Sequence, residues 1–300
     1  MDKAILLTGG TGFLGANILK RLLKDGRRVV LLKRVKSDLR RIRGQVPALR
    51  VYDADAGGLE VIFKENRIDT IIHCATNYGR GNVPPPEIID ANLTLPLRLL
   101  QAAKENGTRL FINSDTILDK QVSHYSLSKK QFLDWLAHFA GDMVCANVAL
   151  EHFYGPDDDP SKFVTRVVQE LVREVPSMDF TPGRQKRDFI FIDDVVDAYM
   201  HILRSGLEAP RGLYRFEVGS RTVIEIRQFV ELVKELSGNK NTVLNFGALP
   251  YRANEVMESR TDTAALDRLG WAPRVDLKQG LETTIAGERI KPGAGLLEGK

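Results

Sequence analysis

The chain of 300 residues opens on an apolar run, Ala4-Ile5-Leu6-Leu7, followed by Thr8-Gly9-Gly10-Thr11-Gly12-Phe13-Leu14-Gly15. The run has the length and character of a strand buried on both faces. Asn17, Ile18, Leu19, Leu22 and Leu23 then repeat with helical spacing, and Asp25-Gly26 closes that helix. Strand, glycine turn and helix in this order restrict the chain to few folds, because the turn places free N–H groups of a helix start where a pyrophosphate can meet them. Each glycine has a task. Gly9 permits the tight turn, Gly12 lets the backbone approach the anion, and Gly15 lets the helix lie close on the strand.

Further strands are predicted at Val29–Leu32, Arg50–Asp53, Ile68–Ala75, Arg109–Thr116 and Met143–Val148. Helices are predicted at 59–66, 88–106, 163–172 and 223–236, with loops at 77–86 and 157–160. Alternating strands and helices give an α/β, doubly wound parallel sheet. No apolar run reaches the length of a membrane helix, and the early first strand predicts no signal peptide. Cys74 and Cys145 lie in apolar strand-like runs and read as reduced core thiols, which suits the cytoplasm. No His and Cys spacing suits a metal. The net charge of +4 fits a mildly basic enzyme with an anionic ligand better than a nucleic-acid binder.

The spacing Gly-x-x-Gly-x-x-Gly resembles the extended short-chain dehydrogenase/reductase family, the NAD-dependent epimerase/dehydratase group. So do His73-Cys74-Ala75, the strand-end Ser114, and Tyr125-Ser126-Leu127-Ser128-Lys129, in that order. Phe153-Tyr154-Gly155-Pro156, Gly183 with Arg187-Asp188-Phe189, Asp193-Asp194-Val195-Val196, Pro250 to Glu255, Asp262 and Leu269-Gly270-Trp271 extend the likeness over almost the whole chain. The resemblance implies a dinucleotide-binding domain at 1–155, re-entered near 187–232. It implies a smaller substrate lobe from 156–186 and 233–290, and residues 291–300 read as a loose tail. It also implies a nucleotide-sugar substrate and a homodimer, with no nucleic-acid or membrane partner. Leu93, Leu97, Phe132, Trp135 and Phe139 supply apolar surface for core, for a second subunit, or for both.

The implied catalytic residues are Ser114, Tyr125 and Lys129. Gly9, Gly12, Phe13, Leu14, Gly15, Ala54, Ala75, Asn92, Tyr125 and Lys129 fall at cofactor positions, and Asn92 braces the active-site backbone. Asp53 falls where the family meets the adenine, with Asp55 as an open alternative. Ser114, Asp115, Asn147, Arg187 and Arg252 fall at substrate positions. Arg252 suits a diphosphate because its planar fork meets oxygens in pairs. Arg187 either anchors the nucleotide or pairs with an acid. Asp193 or Asp194 caps the following helix.

Three departures refine the reading. Where the family often has an acid at the end of the second strand, Lys33 and Arg34 stand, followed by Lys36, Arg40, Arg41 and Arg43. A base there attracts a 2′-phosphate, so Lys33 and Arg34 predict NADP(H), with NAD as the alternative. The Ser114-to-Tyr125 interval is short. Together with Asn113-Ser-Asp-Thr-Ile-Leu-Asp119 it resembles the reductases that finish CDP-linked dideoxyhexoses. Thr116 replaces the Glu of the family's 4,6-dehydratases and argues against dehydration.

A free tyrosine titrates too high for efficient acid–base work at neutral pH. Lys129 and a positive nicotinamide are expected to lower Tyr125. Three functions compete: NADPH-dependent reduction of a 4-keto nucleotide sugar, NAD-dependent C4 epimerisation, and a catalytically silent nucleotide-sensing or RNA-binding scaffold. Retention of Ser114, Tyr125 and Lys129 argues against the third.

Overall fold

The computed structural model describes residues 2–55, 57–252 and 255–290. The expected tail at 291–300 lies outside the described residues. Its strands are β1 (Lys3–Thr8), β2 (Val29–Lys33), β3 (Arg50–Asp53), β4 (Arg67–His73), β5 (Leu110–Thr116), β6 (Val144–Leu150), β7 (His152–Tyr154), β8 (Ser177–Phe180), β9 (Lys186–Phe191), β10 (Gly212–Val218), β11 (Val223–Glu225) and β12 (Val243–Phe246). Its α-helices are α1 (Phe13–Lys24), α2 (Glu60–Glu65), α3 (Pro85–Ile89), α4 (Leu95–Glu105), α5 (His124–Phe139), α6 (Phe163–Val172), α7 (Ile192–Glu208), α8 (Ile226–Leu236), α9 (Ala264–Asp267) and α10 (Leu277–Arg289). No described helix is long and apolar enough to cross a membrane.

The chain forms two compact units. The first comprises the described residues up to Leu150, Val196–Val218 and Thr263–Trp271. It carries a seven-stranded sheet in the order β10-β6-β5-β4-β1-β2-β3, and every neighbouring pair is parallel. Chain order reverses between β1 and β4, the switch point at which doubly wound sheets receive ligands. Ile5, Leu7, Val29 and Leu31 are buried as fully as their neighbours Ala4, Leu6, Val30 and Leu32. Burial on both faces is why these strands read as unbroken apolar runs. Ala4, Leu6, Val30, Phe111 and Cys145 meet Leu99, Leu100, Phe132 and Leu136 of α4 and α5 in one core. Of the apolar residues offered to core or partner, Phe132 and Phe139 belong to that core, whereas Trp135 is 43% exposed.

The second unit comprises Glu151–Val195, Gly219–Asp262 and the described residues from Ala272. It holds the three-stranded sheet β11-β9-β7 and the pair β12-β8, with α6, α8 and α10 packed on one another. The expected division at 155, 187 and 232 is therefore shifted. Residues 187–195 and 219–232 join the second unit because β9 pairs with β7 and β11, not with the large sheet.

Three local expectations also change. The helix predicted over 88–106 is interrupted by a π-helical turn, Asp90–Thr94. Pro96 has no N–H to offer the Asn92 carbonyl, so the regular ladder cannot pass through. The helix predicted from Val223 starts at Ile226, because Val223–Glu225 pairs antiparallel with Lys186–Asp188. Asp193 and Asp194 lie inside the first turn of α7 and not before it, and the Asp194 carboxylate accepts from Arg274 N and Val275 N at 3.1 and 3.0 Å.

Candidate active site

The glycine turn leaves β1 and enters α1. Gly9 has φ +67°, and a Cβ there would overlap the Cys74–Ala75 peptide at the end of β4. A Cβ on Gly15 would overlap the Gly9 carbonyl oxygen. Both positions are closed by the protein itself. Gly12 is different: a Cβ there would meet only Gly9 O, at 3.3 Å. Gly12 precedes α1, which no side chain caps and whose first turn holds no acid. Phe13 and Leu14 bury their side chains beneath that turn. The cradle is thus tight against its own sheet and open at the helix start, and an anionic pyrophosphate fits it.

Lys33 and Asp53 are register partners across β2 and β3, and they form an ion pair. Lys33 Nζ also donates to Arg34 O at 3.3 Å. Lys33 is therefore not the free cation the sequence suggested. Arg34 is exposed and has no ion-pair partner among the described residues. Ala54 N donates to Lys33 O at 2.7 Å, and Asp55 accepts from Val35 N at 3.1 Å. Asp53 sits on the last strand residue and Asp55 in the turn beyond it.

At the end of β4, His73 is fully buried and its Nδ1 lies 2.8 Å from Thr8 Oγ1. Burial first, then the Lys129 charge, holds the imidazole well below its usual range, so it is neutral. Ala75 N donates to Thr8 Oγ1 at 3.3 Å. Asn92, in the π-helical turn, is fully buried and does the bracing through four contacts. Its Oδ1 accepts from Asn77 N at 2.7 Å and Thr76 Oγ1 at 3.1 Å. Its Nδ2 donates to Asn77 O at 2.9 Å and Ser128 Oγ at 3.0 Å.

Ser123 starts α5 with a capping box, in which Ser126 N donates to Ser123 Oγ at 3.1 Å and Ser123 N donates to Ser126 Oγ at 3.0 Å. That cap fixes the turn holding Tyr125. The Tyr125 ring packs on Tyr78 with centroids 5.1 Å apart. Burial, then the nearby Tyr78 and Asp115, push the phenol well above its ordinary value. In the protein alone, then, the net shift of Tyr125 is upward and not the expected lowering.

Lys129, one turn on, is 1% exposed. Its ammonium has no hydrogen bond or ion pair among the described residues. Burial pulls it down to about 8, against an opposing pull from Asp115 and Cys74. A buried cation without a partner lacks hydroxyls or an anion. A cofactor ribose supplies hydroxyls, so this residue fits the group as well.

Ser114 lies in β5, almost buried. Its Oγ donates to Cys74 Sγ at 3.3 Å and accepts from Tyr199 OH at 2.7 Å. Tyr199, on α7, escaped the sequence reading. Asp115 and Asn147 do not face outward as free substrate contacts. Asp115 accepts from Asn147 Nδ2 at 2.9 Å, Lys130 Nζ at 3.0 Å and Thr116 N at 2.7 Å. Asn147 Oδ1 accepts from Asn113 Nδ2 at 2.7 Å. Both are buried in a polar row that ties β5 to β6 and α5, and Lys130, also unforeseen, neutralises Asp115.

Arg187 and Arg252 belong to the second unit. Arg187 Nη2 meets Glu255 Oε1 at 2.6 Å, the acid-pairing alternative, while Arg252 is exposed. Among the described residues, no group of three or more His, Cys, Asp or Glu is placed to hold a metal.

Comparison with known proteins agrees with the motif order. Residues 5–219 match the model of the NAD dependent epimerase/dehydratase family. CDP-abequose synthase of Salmonella muenchen is 33% identical over 295 residues, covering 95% of this chain and 98% of that protein. UDP-glucose 4-epimerase of Mycolicibacterium smegmatis is 28% identical over 93% of this chain and 96% of its own length. Among solved structures, UDP-glucose 4-epimerase of Thermotoga maritima superposes with a TM-score of 0.84 at 24% identity, over 96% of this chain and 99% of that one. The chain belongs to the NAD dependent epimerase/dehydratase family and is an NAD(P)-dependent enzyme of the extended short-chain dehydrogenase/reductase type.

Proposed function

We propose that the protein reduces the 4-keto group of a nucleotide-linked deoxysugar, CDP-linked, with NADPH. The observation that carries this reading is the 33% identity to CDP-abequose synthase across 95% of the chain, with Ser114, Tyr125 and Lys129 all retained. The state of Tyr125 supports it. Burial keeps the phenol protonated, and reduction of a ketone consumes a proton at the carbonyl oxygen.

In this reading the nicotinamide cofactor, when bound, would supply the hydride for the carbonyl carbon. Tyr125 gives its proton to the oxygen, and Ser114 steadies that oxygen by a hydrogen bond. Lys129, charged below pH 8, holds the ribose and favours the phenolate that Tyr125 becomes. The helix start at Gly12 takes the pyrophosphate and Arg34 the 2′-phosphate. Asp115 and Asn147 act through the strand end they hold in place.

A second reading, the NAD-dependent C4 epimerase, draws on the Lys33–Asp53 pair. Asp53 neutralises Lys33, which weakens the pull on a 2′-phosphate. The deciding experiment incubates purified protein with NADPH and a CDP-linked 4-keto dideoxyhexose. NADPH consumption matched by a product two hydrogens heavier is expected. Tightly retained NAD, with interconversion of C4 epimers and no net NADPH consumption, would replace the reductase by the epimerase.

A further inference from the structure

Ser114 stands in a hydrogen-bonded chain that the motif alone does not contain. Tyr199 is fully buried, and a buried phenol must place its proton on a partner. That partner is Ser114 Oγ at 2.7 Å, and Tyr199 makes no other hydrogen bond among the described residues. Burial raises the phenol far above neutrality, so the proton is always present to be donated. A serine hydroxyl has one proton and two acceptor sites. With Tyr199 donating into one acceptor site, the Ser114 proton must point away from Tyr199. It points at Cys74 Sγ, 3.3 Å away.

Sulfur is a weak acceptor. Burial raises the Cys74 thiol to about 11, so near neutral pH it is not a thiolate that would hold the proton harder. The Ser114 proton is therefore aimed but loosely held. A carbonyl oxygen is a stronger acceptor than a thiol sulfur and would take it over. Donation from Tyr199 also polarises Ser114 and makes it a better donor, since hydrogen bonds in a chain reinforce one another.

We propose that Tyr199 is a positioning residue for catalysis: it fixes the Ser114 hydroxyl so that its proton, resting on Cys74, transfers as a hydrogen bond to the reacting oxygen of the substrate. This rests on the reading of Ser114 as the group that contacts that oxygen. A buried tyrosine that only filled space would act on stability and not on turnover through Ser114.

The test is a cycle of Tyr199→Phe, Ser114→Ala and the double variant, assayed with NADPH and the 4-keto sugar nucleotide. Tyr199→Phe removes one oxygen from a packed site. It is expected to lower kcat about tenfold, the worth of one hydrogen bond, with KM and the Kd for NADPH changed less than about twofold. In the Ser114→Ala background the same change is expected to alter kcat less than about twofold. Equal losses in both backgrounds, or wild-type kcat in Tyr199→Phe beside a crippled Ser114→Ala, would overturn the proposal and leave Ser114 standing. Wild-type kcat in Ser114→Ala would bring down the reading of Ser114 and the proposal with it. Should Tyr199→Phe not fold, Cys74→Ser decides. Its oxygen holds the Ser114 proton harder, so kcat is expected to fall about threefold, from a fraction of one hydrogen bond. Unchanged kcat there overturns the proposal.

Discussion

The two ends of the candidate dinucleotide site are built on opposite principles. At the β4–β5 end the functional groups are buried: Lys129 is 1% and Ser114 9% exposed, and the Asn92, Asp115 and Asn147 side chains around them are bonded into place. At the β2–β3 end the charges are more open. Arg34 is exposed, and Lys33 is already neutralised by Asp53, whose side chain is 35% exposed. At the end that the proposed function makes reactive, the protein bears the desolvation of charged and polar groups and fixes their geometry, as preorganised sites require. At the end proposed to choose between cofactors, solvated charge suffices, and such contacts are individually worth little until a ligand shields them from water. Substitutions at the first end should therefore have large effects and those at the second small ones.

The largest effect is expected at Tyr125. Tyr125→Phe removes the proposed proton donor and almost nothing else, so turnover should fall by about a hundredfold or more, the usual scale for a positioned acid. NADPH binding, followed by fluorescence titration, should change less than about twofold. A variant that kept near-normal turnover would deprive the buried end of its chemistry and end the contrast.

Lys129 tests burial itself. Its folded pKa is about 8, below the ordinary lysine value of 10.5. Below pH 8 both folded and unfolded chains carry the charge, and the folded state bears the desolvation, about 3 kcal/mol from the size of the shift. Between pH 8 and 10.5 the unfolded chain binds more protons, so this contribution to stability rises with pH and the penalty disappears. Lys129→Met should therefore be more stable than wild type near neutrality in denaturant melts, with the gap closing above pH 10.5. It should also bind NADPH more weakly. A gap that does not change with pH would mean that the ammonium is solvated.

Much of the buried end was legible in the sequence, and the reason is physical. Strands buried on both faces are apolar nearly throughout, so β1 and β2 stand out as runs. Tyr125 and Lys129 share a helix face, so their spacing marks them as a pair. What could not be read depends on the third dimension. The Lys33–Asp53 pair follows from the register of β2 on β3, which no local pattern fixes. Tyr199 reaches Ser114 from a helix 85 residues away in the chain, and its neighbours present it as one more apolar position of an amphipathic helix. The π-helical turn depends on Pro96, whose effect falls four residues upstream at Asn92. Val223–Glu225 was read as helix because the apolar spacing of α8 runs on into it, and only its pairing with β9 makes it a strand.

The smallest effect is expected at the open end, and it sharpens the comparison most. A 2′-phosphate carries nearly two negative charges near neutral pH, as a phosphorylated side chain does. Arg34 can meet it without giving up a partner. Lys33 can meet it only by sharing its proton donors with Asp53, and a neutral pair exerts little net field on the phosphate. Arg34→Ala should therefore weaken NADPH about tenfold and leave NADH nearly unchanged, one charge-assisted hydrogen bond's worth. The double variant Lys33→Ala/Asp53→Ala removes the pair together and should shift the NADPH-to-NADH ratio by less than about threefold, a fraction of one such bond. Lys33→Ala alone should lie between them, because it leaves the Asp53 carboxylate unpaired beside the phosphate. Titrations of both cofactors against the three variants test this order. If the double variant lost more preference than Arg34→Ala, Lys33 would be the phosphate ligand after all, and Asp53 would be its orienting partner. If wild type bound NADH and NADPH alike, the open end would select neither, and the case for reduction would rest on the likeness to CDP-abequose synthase and the protonated state of Tyr125.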